Sequence, residues 1–153
     1  MKKKNKIKVL LVEDNPGDIL ITKEALEEIE LPIDLKIAKD GEKALNFLRN
    51  KGDYQGAEKP DFVILDLNLP KINGFEVLHH MKNEKDLQNI PIIILSSSGI
   101  KSDILKTYDL HANCYFKKPS DVGEFINIVQ TIGTFWGNIA QLPIEKRDKK
   151  KII

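Results

Sequence analysis

The chain reads as an α/β protein, a (βα)5 doubly wound domain around a five-stranded parallel sheet. Three observations predict this. Short β-branched runs recur from end to end, they alternate with stretches whose apolar residues keep helical spacing, and the runs are too continuously apolar for strands with one wet face. Continuous apolarity is what strands covered by helices on both faces require.

The first run, Ile7 to Val12, is followed by Glu13 and Asp14 and then by a helix start: Asn15 as N-cap, Pro16 at the first helical position and Asp18 in the first turn. Ile19, Leu20, Ala25, Leu26 and Ile29 form its apolar side. The second run is Ile33 to Ala38, and Asp40 with Gly41 opens a helix through Ala44, Leu45 and Leu48. Lys51 to Lys59 is Gly-containing and polar, a loop, and Pro60 precedes the third run, Phe62 to Asp66. Asn73 and Gly74 open a helix through Val77, Leu78 and Met81. The fourth run, Ile92 to Ser96, leads to a weaker helix with Ser102 or Asp103 near its start and Ile104, Leu105 and Tyr108 on its apolar side. The fifth, Asn113 to Lys117, precedes a helix from Ser120 and Asp121 through Phe125, Ile126, Val129 and Ile132 toward Trp136. After Pro143 the periodicity stops.

The expected organisation is therefore a basic tail over residues 1–5, one domain over 6–143 with an extended last helix, and a basic tail over 144–153. At 153 residues there is room for one core. Residues 1–8 carry five Lys and no acid, and residues 144–153 carry five Lys or Arg against Glu145 and Asp148, so the net charge of +1 combines basic ends with an acidic body. An acidic body argues against nucleic acid lying across the domain. No apolar run approaches the roughly 20 residues of a membrane helix, and no signal peptide is evident, so a cytoplasmic protein is expected. The single cysteine, Cys114, agrees with a reducing compartment and offers no zinc cluster. It reads as a small core residue, and His79, His80 and His111 as surface residues too scattered for a metal.

In a doubly wound sheet, ligands bind beyond the carboxyl ends of the strands. Those ends carry Glu13 and Asp14, then Asp66, then Ser96, Ser97 and Ser98, then Lys118 followed by Pro119. Taken singly, each has an ordinary explanation: a favourable helix start, a turn acid, a polar loop, a surface lysine. Jointly they are the residue types one phosphorylation site needs. Carboxylates packed together repel and require a cation. Mg²⁺ suits them, since it prefers oxygen ligands and takes one or two carboxylates besides water and phosphate oxygens. Asp14 and Asp66 are the expected direct ligands, the backbone carbonyl of Asn68 a third, and Glu13 acts through water. With Mg²⁺ on one side and the Lys118 ammonium on the other, Asp66 becomes a competent phosphoacceptor, because phosphoryl transfer depends mainly on positioning and charge neutralisation. Ser96 would donate to a phosphoryl oxygen.

Val12-Glu13-Asp14, Leu65-Asp66-Leu67-Asn68-Leu69-Pro70 with Gly74, Pro91 to Ser96, and Lys118-Pro119 resemble, in order and spacing, the motif set of two-component response regulator receiver domains. The resemblance spans about Lys6 to Ile132. It implies the flavodoxin-like strand order 2-1-3-4-5, a phosphoryl group taken from the phosphohistidine of a sensor histidine kinase and later hydrolysed, Tyr115 as an aromatic switch residue, and a cis Lys118–Pro119 bond. Ser96 stands where many receivers have Thr, which keeps the hydroxyl and loses a methyl. Glu13-Asp14-Asn15-Pro16-Gly17-Asp18, the stretch Tyr108 to Tyr115, and Phe135-Trp136 with Leu142-Pro143 are similar to single-domain regulators paired with phytochrome-type histidine kinases. That closer resemblance favours a homodimer through the face of the fourth helix, fifth strand and fifth helix. The last helix, with Ile128, Phe135 and Ile139 beyond its main stripe, is more apolar than one buried face requires. No DNA-binding segment is expected, so output would pass through protein contacts.

Two other functions fit less well. A phosphatase or phosphotransferase of the haloacid-dehalogenase type places a second acid two residues after the nucleophile, where this chain has Asn68. A flavin-binding module would need a Ser/Thr- or Gly-rich phosphate loop after the first strand, where this chain has two acids.

Overall fold

A computed structural model describes residues 6–143. The elements follow as β1 (Ile7–Val12), α1 (Pro16–Glu28), β2 (Ile33–Ala38), α2 (Gly41–Leu48), β3 (Phe62–Leu65), α3 (Gly74–Asn83), β4 (Ile92–Ser96), α4 (Lys101–Asp109), β5 (Cys114–Lys117) and α5 (Val122–Thr134). The five strands form one parallel sheet in the order β2-β1-β3-β4-β5. The expected tails, residues 1–5 and 144–153, lie outside the described residues.

The central strands are apolar on both faces because both faces are covered. Leu10, Val12, Val63, Leu65, Ile92 and Ile94 point into one cluster with α2 and α3, through Leu45, Leu48, Leu78 and Met81. Val9, Leu11, Phe62, Ile64, Ile93 and Leu95 point into the other with α1 and α5, through Leu26, Phe125, Val129 and Ile132. Every residue of β3 and β4 is buried, whereas edge strands β2 and β5 are only partly so. The alternation along each strand thus feeds two cores.

Helix starts follow the capping residues. Asn15 accepts from the Asp18 N–H at 3.0 Å with Pro16 in the first turn, Asp40 accepts from Lys43 at 2.7 Å, and Asp121 accepts from Glu124 at 2.9 Å. Asn73 and Glu76 form a reciprocal capping box at α3.

Several boundaries differ from expectation, each for a local reason. The third strand ends at Leu65, and Asp66 lies just beyond it while its N–H still donates to Val12 at 3.0 Å. The fifth begins at Cys114, because the Asn113 side chain takes the Ile92 N–H at 2.8 Å and ends regular pairing. The fourth helix begins at Lys101 after Ile100, without a side-chain cap from Ser102 or Asp103. Ser98 instead accepts from the Ile100 N–H at 3.3 Å and donates to Asp103 at 2.7 Å. The expected loop at Lys51 to Lys59 contains a 3-10 turn, Gly52–Tyr54. Beyond Thr134 the last helix widens into a π turn, Phe135–Ile139. The Lys118–Pro119 bond is trans, against expectation: there is no cis peptide among the described residues, and trans is the intrinsically favoured X–Pro form.

Candidate functional site

Four parallel strands deliver the candidate residues to one end of the sheet. Glu13 continues β1 for one residue, donating its N–H to Ala38 at 3.0 Å, and its side chain is buried. Asp14 follows on the exposed side, as expected where the chain turns toward Asn15 and α1. Asp66 leaves β3 between them and β4, buried, with Asn68 N–H directed at its Oδ1 at 3.4 Å. Ser96 closes β4, and the Lys118 N–H donates to its carbonyl at 2.7 Å, extending the β4–β5 pairing past Lys117.

The loop carrying Asp66 is held by two close backbone approaches. A Cβ on Gly74 would lie 2.3 Å from the Asp66 carbonyl oxygen and 2.5 Å from the Leu67 Cα, and one on Gly41 would lie 1.9 Å from the Ile72 carbonyl oxygen. Only glycine permits both contacts. The Gly74 N–H then donates to Leu67 at 2.9 Å, so the first turn of α3 is locked to the residue after the candidate phosphoacceptor.

Glu13, Asp14 and Asp66 present carboxylate oxygens within 4.8 Å of one another. Lys118 reaches across the sheet into this group: its Nζ lies 2.5 Å from Glu13 Oε1, 2.8 Å from Asp18 Oδ2 and 3.3 Å from Asp66 Oδ2, with the side chain 8% exposed. Burial opposes its charge, but the hydrogen bonds to Asp18 and Glu13 and the charge of Asp66 outweigh burial and hold its pKa above the ordinary lysine range. Burial also pushes the Glu13 carboxyl up, reinforced by the Asp66 charge and opposed by Lys118. The donor set, three carboxylates converging on one point, suits a hard divalent cation and not a soft one.

On the other side of Asp66, the Ser96 hydroxyl is fully buried and makes no hydrogen bond of ordinary geometry among the described residues, although it lies near enough to the Tyr115 hydroxyl to lower that group's pKa against the effect of burial. A buried hydroxyl without an ordinary hydrogen bond is costly. Tyr115 stands on β5 with its hydroxyl donating to the Ser98 carbonyl at 2.6 Å, which ties the ring to the chain between β4 and α4. Burial pushes its pKa up against the effect of that hydrogen bond.

These features have a known counterpart. The family model for the response regulator receiver domain matches residues 9–130, and this span includes every residue of the cluster just described. The chain belongs to the response regulator receiver family. This receiver domain is 38% identical over 135 residues to the response regulator Rcp1 of Synechocystis sp., covering 88% of this chain and 92% of that one. Among solved structures it is similar to the phosphorylated cyanobacterial phytochrome response regulator RcpA, with a TM-score of 0.88 and 42% identity over 91% of this chain and 99% of that one. It is also similar to the Mn²⁺-bound form of Rcp1, with a TM-score of 0.86 and 38% identity over 89% and 98% of the two chains.

The receiver's expected site residues Glu13, Asp14, Asp66, Ser96 and Lys118 are thus brought to one sheet edge, with Asn68 beside Asp66 and Tyr115 one strand away. Sequence reasoning missed the role of Asp18. It read as a first-turn acid behind the Asn15 cap, and nothing in that local pattern points to Lys118, which lies 100 residues away. A groove of about 650 Å³, lined by Lys8, Pro60, Ile90 and Pro143 among others, lies at the opposite end of the strands, away from this cluster.

Proposed function

We propose that this receiver accepts a phosphoryl group on Asp66 from the phosphohistidine of a sensor histidine kinase and passes the signal on through protein contacts. The convergence of Lys118 on Asp66, with the buried Ser96 hydroxyl at the end of the neighbouring strand, carries this reading. An Asp66 carboxylate oxygen attacks phosphorus, the P–N bond breaks, and its electron pair leaves with the imidazole nitrogen. Lys118 neutralises charge on the phosphoryl oxygens, and Ser96 donates its hydrogen to one of them. Glu13, Asp14, Asp66 and the Asn68 backbone carbonyl would hold Mg²⁺, which supplies further charge neutralisation at the same oxygens. Later attack of water on the aspartyl phosphate returns the carboxylate and releases inorganic phosphate.

Readout begins at Ser96. Its engagement by the phosphoryl group alters the end of β4, and Tyr115, tied to Ser98, couples that end to the face of α4, β5 and α5 as a shift between two packings. Ile100, Leu105 and Tyr108 are exposed there, as is Val122 at the start of α5, and a homodimer through this face fits their apolar character. The main stripe of the last helix is taken up by the core, with Phe125, Val129 and Ile132 buried and Trp136 packed partly; of the apolar residues beyond it, Ile128 packs partly while Phe135 and Ile139 are exposed. Similarity to RcpA, a cyanobacterial phytochrome response regulator, supports a phytochrome-type kinase as the donor.

The test is labelling with phosphoramidate and Mg²⁺. Asp66→Asn is expected to abolish it, and full labelling of that variant would remove Asp66 from the role. Turnover of small phosphate esters by the unmodified chain would favour an enzyme instead.

A further inference from the structure

The phosphorylation reading leaves one charged group unused. Asp18 contacts Lys118 at 2.8 Å, closer than Asp66 at 3.3 Å, yet it is not among the three carboxylates that converge as a metal-binding group. Of the three acids bonded to Lys118, Glu13 and Asp66 belong to that group as well, so the ammonium and a divalent cation draw on the same two carboxylates. Asp18 is the exception. Its place is set by the helix start: Asn15 caps α1 by accepting from the Asp18 N–H at 3.0 Å, with Pro16 in the first turn. Its side chain is 26% exposed against 3% for Glu13 and 7% for Asp66, so it meets the ammonium from the rim of the site.

We propose that Asp18 is a positioning residue that holds the Lys118 ammonium toward α1, so that a divalent cation can take Glu13 and Asp66 without first having to displace a lysine left with no other partner. The inference rests on the phosphorylation reading of the site. Physically, an ammonium with only Glu13 and Asp66 as partners is a resident competitor for an entering cation, and expelling it unpaired from a largely buried place is costly. An acid outside the metal-binding group removes that cost by keeping the ammonium paired in both states. It also keeps Lys118 charged and beside Asp66, where phosphoryl transfer needs it.

The experiment is a double-mutant cycle read as Mg²⁺ affinity by calorimetry, with no phosphodonor present and each variant first shown to be folded. Asp18→Asn should weaken Mg²⁺ binding roughly tenfold when Lys118 is present and at most about twofold in the Lys118→Met background. Equal losses in both backgrounds, or no loss in either, would overturn the proposal, since Asp18 would then act as a distant charge or not at all. Absence of Mg²⁺ binding by the unaltered chain is a different result: it would bring down the metal site itself, and this inference with it. Should Lys118→Met fail to fold, the nitrogen-15 NMR signal of the Lys118 ammonium in Mg²⁺-saturated protein decides the matter. It should persist with slow hydrogen exchange in the unaltered chain and vanish in Asp18→Asn. The same signal in both, or none in either, would count against Asp18.

Discussion

Ser96 ends β4 with its hydroxyl oxygen buried and without a hydrogen bond of ordinary geometry among the described residues, which sets stability against function at a single atom. Removing a buried polar group that has no partner relieves a desolvation cost, so Ser96→Ala should leave folding stability unchanged or raise it by up to about 1 kcal/mol, as read by denaturant unfolding. Phosphorylation of the same variant by phosphoramidate should slow, because the hydrogen bond is made only to the phosphoryl group. A loss of stability would mean that the hydroxyl already has a partner. Cys114 gives the pH prediction at this scale. Burial pushes its thiol up to about 11, against the usual 9.0, with a weaker opposing contribution from Trp136. The folded state therefore favours the protonated thiol, and its stabilising share is complete below the unfolded pKa. Stability should fall as pH rises from about 9 toward 11 by this route, and alkylation of Cys114 at pH 8 should be much slower than in the unfolded chain. A Cys114→Ala variant that kept the same slope would assign the loss to other groups.

At the scale of elements, glycines distinguish contacts that can yield from those that cannot. A Cβ on Gly74 would press on the Asp66 carbonyl oxygen and Leu67 Cα, both backbone, whereas one on Gly133 in α5 would meet the Ile29 and Leu26 methyl carbons at 2.8 Å. Gly74→Ala should cost about 1–3 kcal/mol and slow labelling of Asp66 as the loop shifts. Gly133→Ala should cost less, since side-chain ends can move and Ala is favoured over Gly in a helix by about 1 kcal/mol. Equilibrium unfolding of the two variants tests the order, and a reversed order would mean that the α1–α5 packing is the more rigid contact. The helix caps belong to this scale as well, and they were legible in advance: Asn15, Asp40, Asn73 and Asp121 cap the helices they were expected to open. The start of α4 was less legible, because its N-cap is Ile100, which offers no side-chain cap, and Ser98 from outside the helix bonds the Ile100 N–H and the Asp103 side chain.

For the whole molecule, the charge arrangement is what links stability to ligation. Glu13, Asp18 and Asp66 share one ammonium and Asp14 lies beside Glu13 and Asp66, so this cluster holds an excess of negative charge in the absence of a metal. A divalent cation that binds only the folded chain should stabilise it by about 2.7 kcal/mol at a hundredfold excess over Kd and raise its thermal midpoint with concentration. Calorimetric scans across Mg²⁺ concentrations should show this, and Asp66→Asn should flatten the response. No helix among the described residues is long and apolar enough to cross a membrane. Sedimentation with and without phosphorylation tests the dimer: a monomer in both states would leave the exposed apolar residues of α4 and α5 to a different partner.

The sequence by itself determined the two-sided sheet, since runs such as Phe62 to Leu65 and Ile92 to Leu95 can be apolar throughout only if helices cover both faces. It also determined which residue types gather at the strand ends, because parallel strands joined by helices must all finish on one edge. Only the tertiary structure decided how those residues pair. The partners of Lys118 lie 52 to 105 positions away, and no local pattern distinguishes Asp18 from any other acid in a first turn. The burial of the Ser96 hydroxyl without an ordinary hydrogen bond was equally hidden, because it is a property of the space around a side chain.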